Sequence, residues 1–221
     1  EGARQRAKTL YQKGKVETVP ARSANGNGVE RTLLSVDLPE GEALKDYRDY
    51  VEPVRRLAGE WGVPPALALA IMHTESSFNP MAKSHIPAYG LMQIVPESAG
   101  RDASRRIFGR PRLLTPSYLY NAENNINVGC CYLSILDGNY LSAVRDDESR
   151  LYCVIAAYNT GPGNVARAFT DGTSVSAAAG AINGRSPAEV YRALRRDLPY
   201  AEARHYLKRV AKRLRTYREV V

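Results

Sequence analysis

The stretch Pro64-Pro-Ala-Leu-Ala-Leu-Ala-Ile-Met-His-Thr-Glu-Ser-Ser-Phe-Asn-Pro80 decides how the rest of the chain is read. Prolines suit the first turn of a helix and Asn79-Pro80 closes one, so the spacing predicts about three helical turns between them. Leu67, Ile71 and Glu75 stand at i, i+4 and i+8, which puts the Glu75 carboxylate in line with the apolar stripe that anchors the helix. An acid delivered there is partly desolvated and sits in the last turn, at the negative end of the helix dipole. Both effects raise its pKa, and a carboxyl that stays protonated near neutral pH is what a general acid requires.

Around this stretch the composition is that of an ordinary globular chain. It has 221 residues, 44% hydrophobic and 24% charged, enough for one sizeable core and an appendage. A net charge of +8 favours polyanionic partners such as nucleic acid, an anionic membrane face or a carboxylate-bearing wall polymer. Nucleic acid has nothing further to recommend it, because no recognition motif or basic-aromatic pattern accompanies the charge. The longest strongly apolar run, Ala66 to Met72, is far shorter than the roughly 20 residues that cross a bilayer. The sequence opens at Glu1 without Met or a signal-like segment and reads as a chain trimmed of its targeting information.

The three cysteines, Cys130, Cys131 and Cys153, are an odd number. Either Cys130 or Cys131 bridges to Cys153 in an oxidising compartment, or all three fill helix interfaces as thiols. No His pairs with another His or with a Cys at ligand spacing, so neither a metal site nor a cofactor is expected.

Residues 1–44 read as a separate N-terminal segment, the remnant of a small β-containing domain or an arm. It has a basic, helical lead-in over 4–15, strands at Lys15–Val19 and Arg31–Leu38, and a loop over 24–28. Residues 45–221 read as a nearly all-helical domain. Its expected helices run from Leu44 to Gly62, over the opening stretch, from Glu97, over 124–136, over 150–159, from Asn164, from a capping box at Ser186 and Glu189, and over 201–218. Residues 101–124 read as surface loop, and the Ala-, Gly- and Ser-rich stretch before Ser186 as a linker.

Three stretches in order, Glu75-Ser-Ser-Phe-Asn-Pro80 with Ser84, Tyr89-Gly-Leu-Met-Gln-Ile-Val-Pro96, and Ala156-Ala-Tyr-Asn-Thr-Gly-Pro-Gly163, resemble the lysozyme-like lytic transglycosylases of glycoside hydrolase family 23. Pro199-Tyr-Ala-Glu-Ala-Arg-His-Tyr206 is similar to the last helix of that family. The wording around Glu75 is most similar to a membrane-bound branch of it.

The resemblance implies a mainly α fold of the α+β lysozyme-like superfamily, with Glu75 as the sole catalytic acid and base. It implies that Tyr158 steadies developing charge and orients Glu75, with Asn159 beside it. Ser84 would touch the sugar, Tyr89, Met92 and Gln93 would line the cleft, and Glu202 and Tyr206 would close its other wall. The implied substrate is the peptidoglycan glycan strand, cleaved without water to a 1,6-anhydro-muramic end. The implied setting is the periplasm, with a lipid anchor to the outer membrane; a monomer is expected, though the resemblance does not set the oligomeric state.

The residues themselves agree on the chemistry. Glycosidases ordinarily use two carboxylates about 5 to 10 Å apart, yet no Asp or Glu occurs from Ser76 through Pro96. The substrate must then supply the nucleophile. Two other readings stand beside this one: a goose-type-lysozyme-like hydrolase, for which Asp102 and Glu123 are the downstream candidates, and a catalytically idle peptidoglycan-binding module.

Overall fold

The computed structural model describes residues 15–22, 28–35 and 47–221. The chain divides into two compact units, Glu1–Lys45 and Asp46–Val221. In the first, β1 (Lys15–Arg22) and β2 (Gly28–Ser35) form an antiparallel pair in which Thr18 stands opposite Thr32. Both strands expected from the sequence are present, and β2 starts three residues earlier than its alternation suggested. The lead-in over 4–14, all but the last residue of the loop expected over 24–28, and the helix start near Leu44 lie outside the described residues.

The second unit is helical. After a 3-10 turn at Arg48–Tyr50 come α1 (Val51–Glu60) and α2 (Pro65–Ser76). Then follow α3 (Ala99–Phe108), α4 (Pro116–Leu119), α5 (Ala122–Ile135), α6 (Asp147–Thr160) and α7 (Pro162–Arg167). The chain ends with α8 (Val175–Asn183), α9 (Pro187–Asp197) and α10 (Ala201–Arg218).

The helix α2 is the hub. Ala66 through Met72 are all buried, on every face and not only on the predicted stripe, because α1, α5 and α10 pack around it. Proline at its start lacks an N–H that would have had no partner there. The long closing helix α10 lies along α2 and buries Tyr206, Val210, Leu214 and Tyr217, which are spaced as one apolar stripe.

Two sequence expectations are corrected. Residues 101–124 are not surface loop, since α3, α4 and the start of α5 occupy most of them. What α3 buries is Gly100, Ala103 and Ser104, small residues that let it approach α5 closely but write no hydrophobic stripe. Likewise the linker before Ser186 contains α8, capped by Ser174 and anchored by Val175, Ala178, Ala179 and Ile182. The capping box is formed as expected, with the Ser186 N–H donating to the Glu189 carboxylate at 2.8 Å.

All three cysteines are buried free thiols at helix interfaces. Burial pushes the Cys131 and Cys153 thiols up to about 12, which makes them poor nucleophiles.

Candidate active site

Glu75 ends α2, and the backbone just beyond it is unusual. Ser77 and Phe78 both take left-handed conformations, φ 50° and 63°, without being glycine. Strain of this kind persists only where surrounding contacts impose it. Phe78 is locked against Tyr50 and His73 (ring centroids 6.2 and 5.4 Å), while the Ser76 hydroxyl reaches the Leu91 carbonyl at 2.8 Å. The turn after Glu75 is therefore bolted to the loop that faces it.

That loop, Ala82 to Ile94, carries four of the predicted site residues. It folds back on itself through Tyr89, which exchanges both backbone hydrogen bonds with Ile94 (3.1 and 3.0 Å), and through Gly90 N–H to the Ala82 carbonyl at 2.9 Å. Gly90 has φ 76°, and a Cβ there would stand 2.3 Å from the Asn125 amide, so no other residue fits.

Asn125, buried in α5, holds the loop from beneath. Its amide donates to the carbonyls of Tyr89 (2.8 Å) and Leu119 (2.7 Å), and its oxygen accepts the Met92 N–H (2.8 Å). The bare Gly129 lets Met92 settle, because a Cβ there would lie 2.2 Å from its sulfur.

Met92 is wholly buried, Tyr89 packs edge-on against Tyr120, and the Gln93 amide donates to Gly90 (2.9 Å) and Ala82 (3.1 Å). Ser84 turns its hydroxyl onto the Ile86 carbonyl of its own loop. The polar groups of Gln93 and Ser84 are thus engaged within the loop and not with Glu75.

The opposite side comes from α6 and α10. Tyr158 donates its hydroxyl proton to the Met92 carbonyl at 2.8 Å and leans on Tyr132, with ring centroids 5.7 Å apart. Burial first, and then the nearby Glu75 charge, raise its pKa well above that of an ordinary phenol, so it stays neutral. Asn159 follows it in α6 with no hydrogen-bond partner for its side chain among the described residues.

From α10, Glu202, Tyr206 and Arg209 all act on Glu75. The Tyr206 hydroxyl is buried without a properly formed hydrogen bond among the described residues, yet it is close enough to Glu75 to pull that acid's pKa down. The pairing is within reach but not made.

The balance of these influences decides the state of Glu75. Burial pushes its carboxyl up to about 7, Tyr206 and Arg209 oppose the rise, and Glu202 adds to it. The group can therefore both give and take a proton at neutral pH. Asp102 and Glu123, the two carboxylates that a hydrolase was expected to draw on, are engaged elsewhere: Asp102 accepts from the Tyr140 hydroxyl at 3.0 Å and Glu123 pairs with Arg56 at 3.0 Å. Neither is among the charges acting on Glu75. Among the described residues no group of three His, Cys, Asp or Glu side chains could hold a metal ion.

Sequence reasoning missed Arg209, Asn125, Ser76 and Tyr132. Arg209 was within its reach, since it stands i+7 from Glu202 and i+3 from Tyr206 on one face of a predicted helix. The others act through contacts distant in sequence.

A mainly helical domain folded around one desolvated glutamate, with tyrosines closing over it and a loop pinned opposite, is a lysozyme-like catalytic domain. Residues 52–178 match the transglycosylase SLT domain, and the chain belongs to that family. It is 42% identical over 187 residues to the membrane-bound lytic murein transglycosylase C of Serratia proteamaculans, covering 84% of this chain and 51% of that protein. The protein of the same name from Klebsiella pneumoniae is 42% identical over 185 residues, again 84% and 51%. The chain thus spans about half the length of the curated relatives it matches.

Among solved structures, the 70 kDa soluble lytic transglycosylase of Escherichia coli superimposes with a TM-score of 0.58 at 29% identity, covering 77% of this chain and 24% of that one. An inactive mutant of the lytic transglycosylase Slt of Pseudomonas aeruginosa gives 0.57 at 26% identity, covering 76% and 24%.

Proposed function

We propose that the protein is a peptidoglycan lytic transglycosylase that works through Glu75 alone. The observation that carries this reading is the desolvated Glu75 carboxyl at the end of α2, held near pKa 7 between the Tyr158 side and the Glu202–Tyr206 face of α10. Protonated Glu75 gives its proton to the glycosidic oxygen between N-acetylmuramic acid and N-acetylglucosamine, and the C1–O bond breaks. The acetamido group of the muramic residue stabilises the cationic centre. Glu75, now a carboxylate, takes the proton of the muramic C6 hydroxyl, whose oxygen bonds to C1 and closes the 1,6-anhydro ring. Glu75 ends as it began and no water is consumed.

In this reading the unpaired Tyr206 hydroxyl meets the carboxylate formed midway, when its hydrogen bond is worth most. Tyr158 acts by fixing the Met92 carbonyl, and with it the loop that carries Tyr89 and Gln93. Ser84, Asn159 and Glu202 border the groove in which the sugar lies.

We also take residues 1–44 as the remnant of a small β-containing domain. We place the enzyme in the periplasm as a monomer, anchored to the outer membrane by a lipid on a cysteine upstream of this sequence. The names of the membrane-bound relatives support an envelope location, and no helix among the described residues is long and apolar enough to cross a membrane. A full-length precursor without a lipid-attachment cysteine would remove the anchor.

One observation favours a second reading. Glu202 is a carboxylate close enough to raise the pKa of Glu75, and it would activate water if the enzyme were a hydrolase. Digestion of purified sacculi by the protein and by Glu75→Gln, with released muropeptides identified by mass spectrometry, separates the two. Anhydro-muramic ends made only by the unmodified protein are expected; reducing ends would establish the hydrolase, and binding without products the idle module.

A further inference from the structure

A cavity of about 660 Å³ opens at the other end of α2 from Glu75. Pro64, which caps the start of α2, and Leu67 within it line the cavity, and Leu67 lies eight residues before Glu75, about 12 Å along the helix axis. None of the residues assigned above to the glycan-cleaving site borders it. Its volume is in the range of small-molecule sites, roughly 300 to 1,000 Å³. One wall is a single π-helical turn, Leu136–Tyr140, a rare backbone form that recurs at functional sites.

The lining chemistry is specific. Three carboxylates, Asp137, Asp147 and Glu148, face three guanidinium groups, Arg106, Arg150 and Arg218. Arg150 is clamped between Asp137 (2.9 Å) and Asp147 (2.6 Å), Glu148 accepts the Tyr152 hydroxyl at 2.6 Å, and Arg106 donates to Asn139 at 3.1 Å. The charges balance in number, and Arg150 with its two aspartates forms a closed ion-pair cluster, which suits a neutral, polyhydroxylated ligand better than an ion.

Beside them Leu67, Leu133, Leu151 and Val154 give the lining an apolar part against which an acetamido methyl group could pack. Trp61 completes the wall, and its indole N–H is already donated to Asn127 at 2.7 Å. What it offers a ligand is ring surface, the usual partner of the apolar face of a pyranose.

We propose that this cavity is a second carbohydrate site, which takes a neutral N-acetylated hexosamine unit of a glycan apart from the groove at Glu75. The inference rests on the lining and not on the reaction assigned to Glu75. Holding a glycan at a second point would keep the enzyme on a polymeric substrate between cleavages, as linked sites do.

Trp61 is the only tryptophan in the chain, so its fluorescence reports on this cavity directly. Titration of the Glu75→Gln protein with the N-acetylglucosamine trimer is expected to shift Trp61 emission saturably. Gly138 lines the cavity and a Cβ there meets nothing within 4 Å, so Gly138→Phe should narrow the space without disturbing the fold. That substitution, made in the Glu75→Gln background and checked by circular dichroism, should weaken the Trp61-detected binding at least about tenfold. Made in the unmodified protein, it should leave cleavage of short soluble glycan intact.

No emission change while calorimetry detects the trimer binding would overturn the proposal, because the sugar would then occupy the groove alone. So would an emission change that Gly138→Phe leaves unaltered, or no binding by either method. These readouts are independent of product formation, so this site and the activity at Glu75 can fail separately.

Discussion

Arg213 of α10 donates through Nη1 to the Thr74 hydroxyl at 2.9 Å, one residue before Glu75. Thr74 passes its own proton to the Ala70 carbonyl at 2.7 Å, and one residue earlier Nδ1 of His73 meets the Tyr217 hydroxyl at 3.1 Å. The last turn of α2 is thus stitched twice to the helix that carries Glu202, Tyr206 and Arg209. Replacing Arg213 by Met removes one stitch and keeps the bulk of the side chain. We expect a loss of about 1 to 2 kcal/mol in denaturant unfolding and slower muropeptide release, with partial recovery in Arg213→Lys.

In the proposed mechanism the acid form of Glu75 makes the first proton transfer, so turnover should fall as pH rises through about 7. Arg209 favours the charged carboxylate and Glu202 disfavours it. Removing the positive charge with Arg209→Gln should therefore move the fall to higher pH, and Glu202→Gln should move it lower. A pH–rate profile of the three proteins on sacculi checks the sign, and identical alkaline limbs would refute the arrangement.

Stability should carry the same signature. Glu75 titrates near 4.5 when unfolded and near 7 when folded, so the folded state binds the extra proton between these values. Its contribution is complete below pH 4.5 and is lost as pH rises through about 7. Glu75→Gln should therefore be the more stable protein above pH 7, by up to about 3 kcal/mol, and show no such gain at pH 4.

His73 runs the other way. Burial first, and then Arg213, lower its pKa from 6.5 to about 4, so the stability from keeping it neutral is present above 6.5 and lost as pH falls through about 4. Thermal melts of the wild type and both single variants, Glu75→Gln and His73→Asn, across this range resolve the two slopes.

Asn125 makes three buried hydrogen bonds to the backbone of the loop and of α4. Asn125→Leu keeps the volume but strands the Met92 N–H and two carbonyls, and should cost about 3 kcal/mol or more. The midpoint in guanidinium should drop at constant slope, and activity should fall although no group on the Glu75 carboxyl has changed.

Much of this was legible in the sequence because its signals are local. The proline-started apolar run ending in Thr-Glu-Ser fixed α2 and the place of Glu75, and the Ser186–Glu189 box fixed the start of α9. The ordered motifs around Tyr89 and Tyr158 and the closing stretch with Glu202 and Tyr206 carried the family. The helix expected from Glu97 is α3, but its course into 101–108 went unread because Gly100, Ala103 and Ser104 are what it buries; α8 went unread because the Ala-, Gly- and Ser-rich residues around Val175 and Ile182 read as linker.

What the tertiary structure alone decided is the state of the acid. Desolvation of Glu75 requires α1, α5 and α10 closed around α2, and its opposing neighbours Glu202 and Arg209 lie more than a hundred residues away in the chain. Tyr158 was expected beside Glu75 as its orienting partner, yet its proton goes to the Met92 carbonyl. Hydrogen-bond partners are chosen by the packing of distant elements, which the order of residues does not record.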